Sequence, residues 1–218
     1  MKLLKIAIIV NGIIYDYDYH KDIINNCDLV ICGDGGANHA YKMDIIPNYI
    51  LGDLDSIDNK TKNYYENKNV EFIKFPSKKD KTDTEICIDY AYDLKANEIV
   101  LLGALGGRMD HAMANVNLLY YMLKKGIKGN IVNETDSIFI SDSELTIRGN
   151  KGDNISLLPL FGDVVGVTLE NLEYPLNNFT IKKGSSIGIS NVMIDNNCRI
   201  SLKSGYLLIC KSKDNKGL

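Results

Sequence analysis

Short apolar runs that stop at turns rich in glycine and aspartate constrain this fold more than any other feature. The runs are Ile6–Val10, Leu29–Cys32, Tyr49–Leu51, Val70–Phe75 and Ile99–Leu102. Each is too short for a helix, and all but Val70–Phe75, which carries Glu71 and Lys74, are apolar throughout, as a strand covered on both faces must be. Helix-like segments lie between several of them. Asp83–Lys95 sets Ile86, Ile88, Tyr90, Ala91 and Leu94 among acids, and Asp110–Lys125 carries Ala114, Leu118, Tyr121 and Met122 as a stripe. Strand and helix in alternation predict an α/β fold, a mostly parallel sheet with flanking helices, Rossmann-like in kind. Such sheets bind ligands beyond the carboxyl ends of their strands.

From about Asn133 the rhythm changes. Ser137–Ser141, Leu145–Arg148, Ile155–Leu160, Val164–Leu169, Ser186–Ile189, Ile200–Leu202 and Tyr206–Cys210 read as strands. Turn residues separate them, among them Phe161-Gly-Asp163 and Lys183-Gly184. With no long amphipathic helix, this half predicts an all-β sandwich or small barrel. The boundary falls near 130–145, giving domains 1–135 and 136–218. The polar tail Lys211–Leu218 is expected to fray.

Four turns carry the chemistry. Asp53 and Asp55 sit two apart after a strand, where alternate residues can point the same way and grip one cation. Asp80, Lys81, Thr82 and Asp83 open a helix. There Lys81, with Lys78 or Lys79, can hold phosphate oxygens while Asp83 meets a metal. Gly106 and Gly107 let backbone approach a ligand, Arg108 offers a planar fork for phosphate, and Asp110 can ligate metal or orient a hydroxyl. Asn115, about a turn further on, can bond a nucleotide. Gly33, Asp34, Gly35 and Gly36 suggest a phosphate-cradling loop without a full fingerprint. Each turn alone also has a plain structural reading: caps at Ser56 and Asp58, a capping box from Thr82 to Glu85, tight packing at the glycines. Together they predict a Mg²⁺-dependent enzyme acting on a phosphate compound, because hard carboxylate oxygens suit that ion. His39 reads as a helix-surface residue, and His111 as either surface or site.

Composition narrows the rest. The chain of 218 residues is 45% apolar and 24% charged, with a formal charge of −3. That leaves no basic footprint for nucleic acid. No apolar stretch reaches the ~20 residues of a membrane helix. Asn11 and Gly12 follow the first apolar run where a signal peptide would carry a small-residue cleavage site. Five scattered cysteines show no metal or disulfide spacing, so free buried thiols and a cytoplasmic location are expected.

The ordered set Asp34-Gly-Gly-Ala-Asn38, Gly52-Asp-Leu-Asp-Ser56, Asp80-Lys-Thr-Asp83 and Gly107-Arg-Met-Asp-His111 resembles the thiamin pyrophosphokinase family. The likeness continues through Ile155–Gly162, Gly166–Leu176 and Gly184–Asn191. It implies transfer of a pyrophosphoryl group from ATP to thiamin with Mg²⁺, by a homodimer whose second domain binds thiamin. By motif, Asp53, Asp55, Asp83 and Asp110 would hold Mg²⁺, with Asp55, Asp83 and Asp110 catalytic. Asp34, Asn38, Lys81, Arg108 and Asn115 would meet ATP. Asp80, Ser190 and Asn191 would meet thiamin. The chain has no Trp, so the aromatic stack some members place on thiamin needs a Tyr, Phe or apolar substitute. A pterin-alcohol pyrophosphokinase and a non-catalytic thiamin or nucleotide sensor are the alternatives. A haloacid-dehalogenase-type phosphatase fits less well, because Ile57 stands where its motif wants Thr or Val.

Overall fold

The computed structural model describes residues 3–77 and 80–213. Lys78 and Lys79, expected near phosphate, lie outside the described residues, as do positions 214–218 of the tail. The described residues form a mixed α/β protein with five helices among them. The chain divides into two compact units, residues 1–134 and 135–218.

The first unit is a parallel sheet. Strands β1 (Lys5–Ile9), β2 (Leu29–Gly33), β3 (Tyr49–Gly52), β4 (Glu71–Lys74), β5 (Glu98–Leu102) and β6 (Lys128–Val132) lie in the order β4-β3-β2-β1-β5-β6. Every neighbour pair is parallel. Ile6, Ile8, Ile9, Ile31, Ile50, Leu51, Ile99 and Leu101 are wholly buried. That is why these runs show no polar alternation. The chain steps outward from β1 to β4, then returns to β5 on the other side of β1. The crevice between β1 and β5 is therefore the topological switch point.

Helices α1 (Tyr17–Ile24), α2 (Gly36–Lys42), α3 (Asn59–Glu66), α4 (Asp83–Asp93) and α5 (Met109–Lys124) supply the connections. Four end in Schellman turns: Ile45 N–H donates to Ala40 O, Val70 N–H to Tyr65 O, Ala96 N–H to Ala91 O and Ile127 N–H to Met122 O. Helix α4 starts at Thr82, whose hydroxyl accepts from Glu85 N–H at 3.2 Å. At the start of α2, a Cβ on Gly36 would lie 2.1 Å from the Ile9 carbonyl oxygen. Only glycine lets that helix seat on the end of β1.

The second unit is antiparallel. Strands β7 (Asp136–Ser141), β8 (Leu145–Arg148), β9 (Asn154–Glu170), β12 (Asn197–Ser201) and β13 (Ser204–Ser212) run in the order β7-β13-β9-β12-β8. Strands β10 (Phe179–Ile181) and β11 (Asn191–Val192) pair with β9. Ile155, Leu157, Val164, Val167, Ile181, Cys198, Ile200, Leu207 and Ile209 form its core, each wholly buried.

Three expectations change here. Phe161-Gly-Asp163 does not end a strand: β9 continues through Phe161 (φ 59°) and Gly162 (φ 152°). Its register against β13 shifts between Ser204 and Tyr206, so the ribbon bends instead of stopping. Ser186–Ile189 is not a strand, because Gly188 takes φ 100° and Ile189 N–H closes a turn onto Ser186 O. Lys211 and Ser212 of the tail are paired in β13 with Ile155 and Asn154.

Candidate active site

A cavity of about 510 Å³ opens at the switch point. Its walls are the ends of several elements: Asn11 and Gly12 after β1, Asp34 after β2, Ser56 beyond β3, Asp83 at α4, Gly103 after β5 and Asn115 in α5. Asn11, Gly12, Ser56 and Thr84 complete it without having been singled out as ligands. The only sequence signal at the first two was the Asn–Gly pair directly after the first apolar run.

Carboxylate oxygens of Asp34, Asp53 and Asp83 lie within 4.8 Å of one another. Asp34 is 7% exposed and takes a left-handed backbone (φ 45°). Its N–H donates to Leu51 O at 2.7 Å, which fixes the β2 turn against β3. Gly52 is required opposite: its φ is +147°, and a Cβ there would stand 2.9 Å from Asp34 Cβ. Burial raises the Asp34 carboxyl above the ordinary carboxylate range. Hydrogen bonds from Ser56 oppose this, and the charges of Asp83 and Asp53 add to it. Two such charges 4 Å apart repel by roughly 4 kcal/mol at an effective dielectric of 20. The donor set is all oxygen, close-set and partly desolvated, which fits a hard divalent cation.

The other candidate residues sit around this triad. Asp55, one residue past Leu54 (φ 68°), accepts from its neighbour's Ser56 hydroxyl at 3.0 Å and lies outside the triad. Asp110 is also outside it. Its exposed carboxylate receives Arg108 through two bonds, Nε at 3.1 Å and Nη2 at 2.6 Å. That fork holds Asp110 below the usual range. Asn115 is buried and donates to Ala104 O at 2.8 Å, which ties α5 to the turn after β5. Asn38 gives its amide to the backbone of Ser56 and Asp58. Lys81 turns away from the triad and pairs with Asp89 and Glu85. With Asp80 it lines a neighbouring cavity of about 450 Å³.

His39 is not a plain surface residue. Its Nε2 lies 2.8 Å from Gly12 O and its Nδ1 3.0 Å from the Tyr17 hydroxyl. A carbonyl can only accept, so Nε2 carries the proton and Nδ1 accepts from Tyr17. Burial lowers its pKa, in keeping with a neutral ring. His111 lines the cavity mouth.

In the second unit, Ser190 takes φ 58° and its N–H donates to Ser156 Oγ at 3.1 Å. Asn191 is 2% exposed. Its amide accepts from Tyr174 N–H at 3.0 Å and donates to Tyr174 O at 2.8 Å. It therefore holds the backbone of Tyr174, whose side chain is exposed.

A parallel sheet with a cavity at its switch point and carboxylates at the ends of its strands defines the class: an α/β protein of the kind that binds ligands at the carboxyl ends of its strands. Residues 20–131 match the family model "Thiamin pyrophosphokinase, catalytic domain", and residues 142–207 match "Thiamin pyrophosphokinase, vitamin B1 binding domain". The chain belongs to the thiamin pyrophosphokinase family. It is 32% identical to thiamine pyrophosphokinase of Bacillus subtilis over 83% of this chain and 86% of that one. It is 30% identical to thiamine pyrophosphokinase 1 of Oryza sativa over 82% and 77%. Among solved structures, the B. subtilis enzyme superposes with a TM-score of 0.85 at 30% identity, covering 96% of this chain and 99% of the other. The Geobacillus thermodenitrificans thiamin pyrophosphokinase gives 0.84 at 27% identity, covering 99% and 100%.

Proposed function

We propose that this chain transfers the pyrophosphoryl group of ATP to the hydroxyl of thiamin, releasing AMP and forming thiamin diphosphate. The observation that carries the reading is the triad of Asp34, Asp53 and Asp83 at the strand ends of a chain of this family. The thiamin oxygen attacks the β-phosphorus of ATP, the bond from that phosphorus to the α-phosphate oxygen breaks, and the hydroxyl proton passes to a base. Mg²⁺ held by the triad would neutralise charge on the phosphate oxygens.

The remaining roles follow from place and chemistry. Asp55, on the same turn as Asp53, is positioned to orient the cation's waters. Asp110, between the cavity-lining Arg108 and His111, is our candidate base, and Arg108 offers the phosphate chain a fork now filled by that carboxylate. Asn115 and the backbone of Gly12 and Gly103 border the ATP cavity. Lys81 serves ATP by exchanging Asp89 for a phosphate oxygen, and Asp80 stands beside it. We assign ATP and Mg²⁺ to the first unit, read as Rossmann-like, and thiamin to the second, read as a β-sandwich. There Ser190 and the exposed ring of Tyr174 face the acceptor, with Asn191 shaping the segment. Tyr174 then fills the part of the missing Trp.

A cytoplasmic homodimer completes the proposal. Exposed apolar side chains in the second unit, among them Phe161, Val165, Ile187 and Ile189, support self-association. Sedimentation velocity checks it, and a monomer at micromolar concentration would refute it. The activity itself is tested by incubating the purified protein with ATP, thiamin and Mg²⁺. AMP and thiamin diphosphate in equal amounts are expected. Thiamin binding without AMP would leave a sensor instead.

A further inference from the structure

We propose that Asn38 is a positioning residue whose amide sets the path of the 53–58 loop, and so the place of Asp53 in the acid triad. The inference deepens the cation reading above and rests on it. It moves Asn38 from ATP contact to loop clamp.

Four observations meet here. Asn38 Nδ2 donates to Ser56 O at 2.9 Å, and its Oδ1 accepts from Asp58 N–H at 3.1 Å. Only one orientation of the amide satisfies both partners, and it uses a donor and the acceptor together. Second, the loop it grips is strained: Leu54 is a non-glycine residue at φ 68°, a conformation that persists only where its surroundings impose it. A further side-chain hold on this stretch is the longer bond from Ser56 N–H to Asp34 Oδ1 at 3.4 Å. Third, three carboxylates whose oxygens lie within 4.8 Å repel one another as they ionise, which strains the loop that carries Asp53. A neutral clamp restrains it without adding to that repulsion. An aspartate at position 38 would set an anion against the Ser56 carbonyl. Fourth, the clamp has a firm base, because α2 is seated on the end of β1 through Gly36.

The test uses the full chain without nucleotide. Asn38→Ala is compared with the native protein by Mn²⁺ titration, reading free Mn²⁺ by electron paramagnetic resonance, and by amide hydrogen exchange at Asp58. We expect the Mn²⁺ dissociation constant to rise fivefold or more and Asp58 exchange to quicken tenfold or more. Unchanged Asp58 exchange overturns the clamp. So does unchanged Mn²⁺ affinity, and a KM for ATP raised in a separate turnover assay then returns Asn38 to the nucleotide. A native protein that takes up no Mn²⁺ sinks the cation reading instead, and exchange at Asp58 still decides the clamp. Should Asn38→Ala not fold, Asp58→Pro removes the N–H that Asn38 accepts, at a φ of −59° that suits proline. A folded Asp58→Pro protein with native Mn²⁺ affinity overturns the proposal; a threefold weakening supports it.

Discussion

Asp34 is buried and crowded by two other acids, so ionising its carboxyl works against folding wherever no cation is bound. Its folded pKa is raised, chiefly by burial. The folded state therefore holds this proton more tightly than the unfolded chain. The penalty is absent below the unfolded pKa of about 3.9 and develops as pH rises from there through the folded pKa. Metal-free Asp34→Asn should accordingly melt higher than the native apoprotein at pH 7, by roughly 2–4 °C for about 1 kcal/mol in a chain of this size. The gap should close near pH 4, and Mg²⁺ should raise the melting temperature of the native protein more than that of the variant. Differential scanning calorimetry with and without chelator reads both. Asp55→Asn should lose tenfold or more of turnover while its circular dichroism stays native; near-native AMP production would remove Asp55 from the machinery. Sequence alone set Asp53 and Asp55 equal, because both end the same run. The left-handed turn at Leu54 between them decides which carboxylate enters the triad, and φ is not written in residue type.

At the scale of elements, α4 carries a cap at one end and a charge network along its side. The Thr82 hydroxyl holds Glu85 N–H. Thr82→Ala should cost about 1 kcal/mol of stability, read as a shift in urea midpoint at unchanged slope. Asp89 ties α4 to α5 by accepting the Tyr121 hydroxyl at 2.6 Å and pairing with Lys125 at 3.3 Å, besides holding Lys81. Burial raises this carboxyl, but the bonds from Lys81, Tyr121 and Lys125 outweigh it and leave the pKa lowered. A lowered folded pKa contributes stability above the unfolded value of about 3.9, lost as pH falls through the folded one. Asp89→Asn should therefore melt lower than the native protein at pH 7, with the difference shrinking as pH falls below about 3.9. The buried strands were legible because a strand covered on both faces has one possible composition. Ser186–Ile189 misled for the opposite reason: its two isoleucines alternate like a strand, yet Gly188 at φ 100° turns the chain.

Over the whole molecule, the five thiols report how the chain is closed. Cys32, Cys87 and Cys198 are buried, and Cys27 and Cys210 are half-buried. Burial pushes Cys198 and Cys210 up to about 11, so little thiolate exists at neutral pH. A disulfide-exchange reagent should find at most two reactive thiols in the native protein and all five in guanidinium. The shift from helix-bearing to all-β composition was visible because periodicity itself changes from 3.6 to 2. The link between Asn38 and the acid loop was not, since it joins positions 18 to 20 residues apart through a backbone path that only the assembled sheet defines.

The three carboxylates arrive from separate stretches of chain, at positions 34, 53 and 83. No short peptide cut from this protein contains all three. A luminescent lanthanide bound there would therefore act as a sentinel of the assembled state. During refolding its emission should switch on only after the sheet has registered, later than the far-ultraviolet signal of the helices.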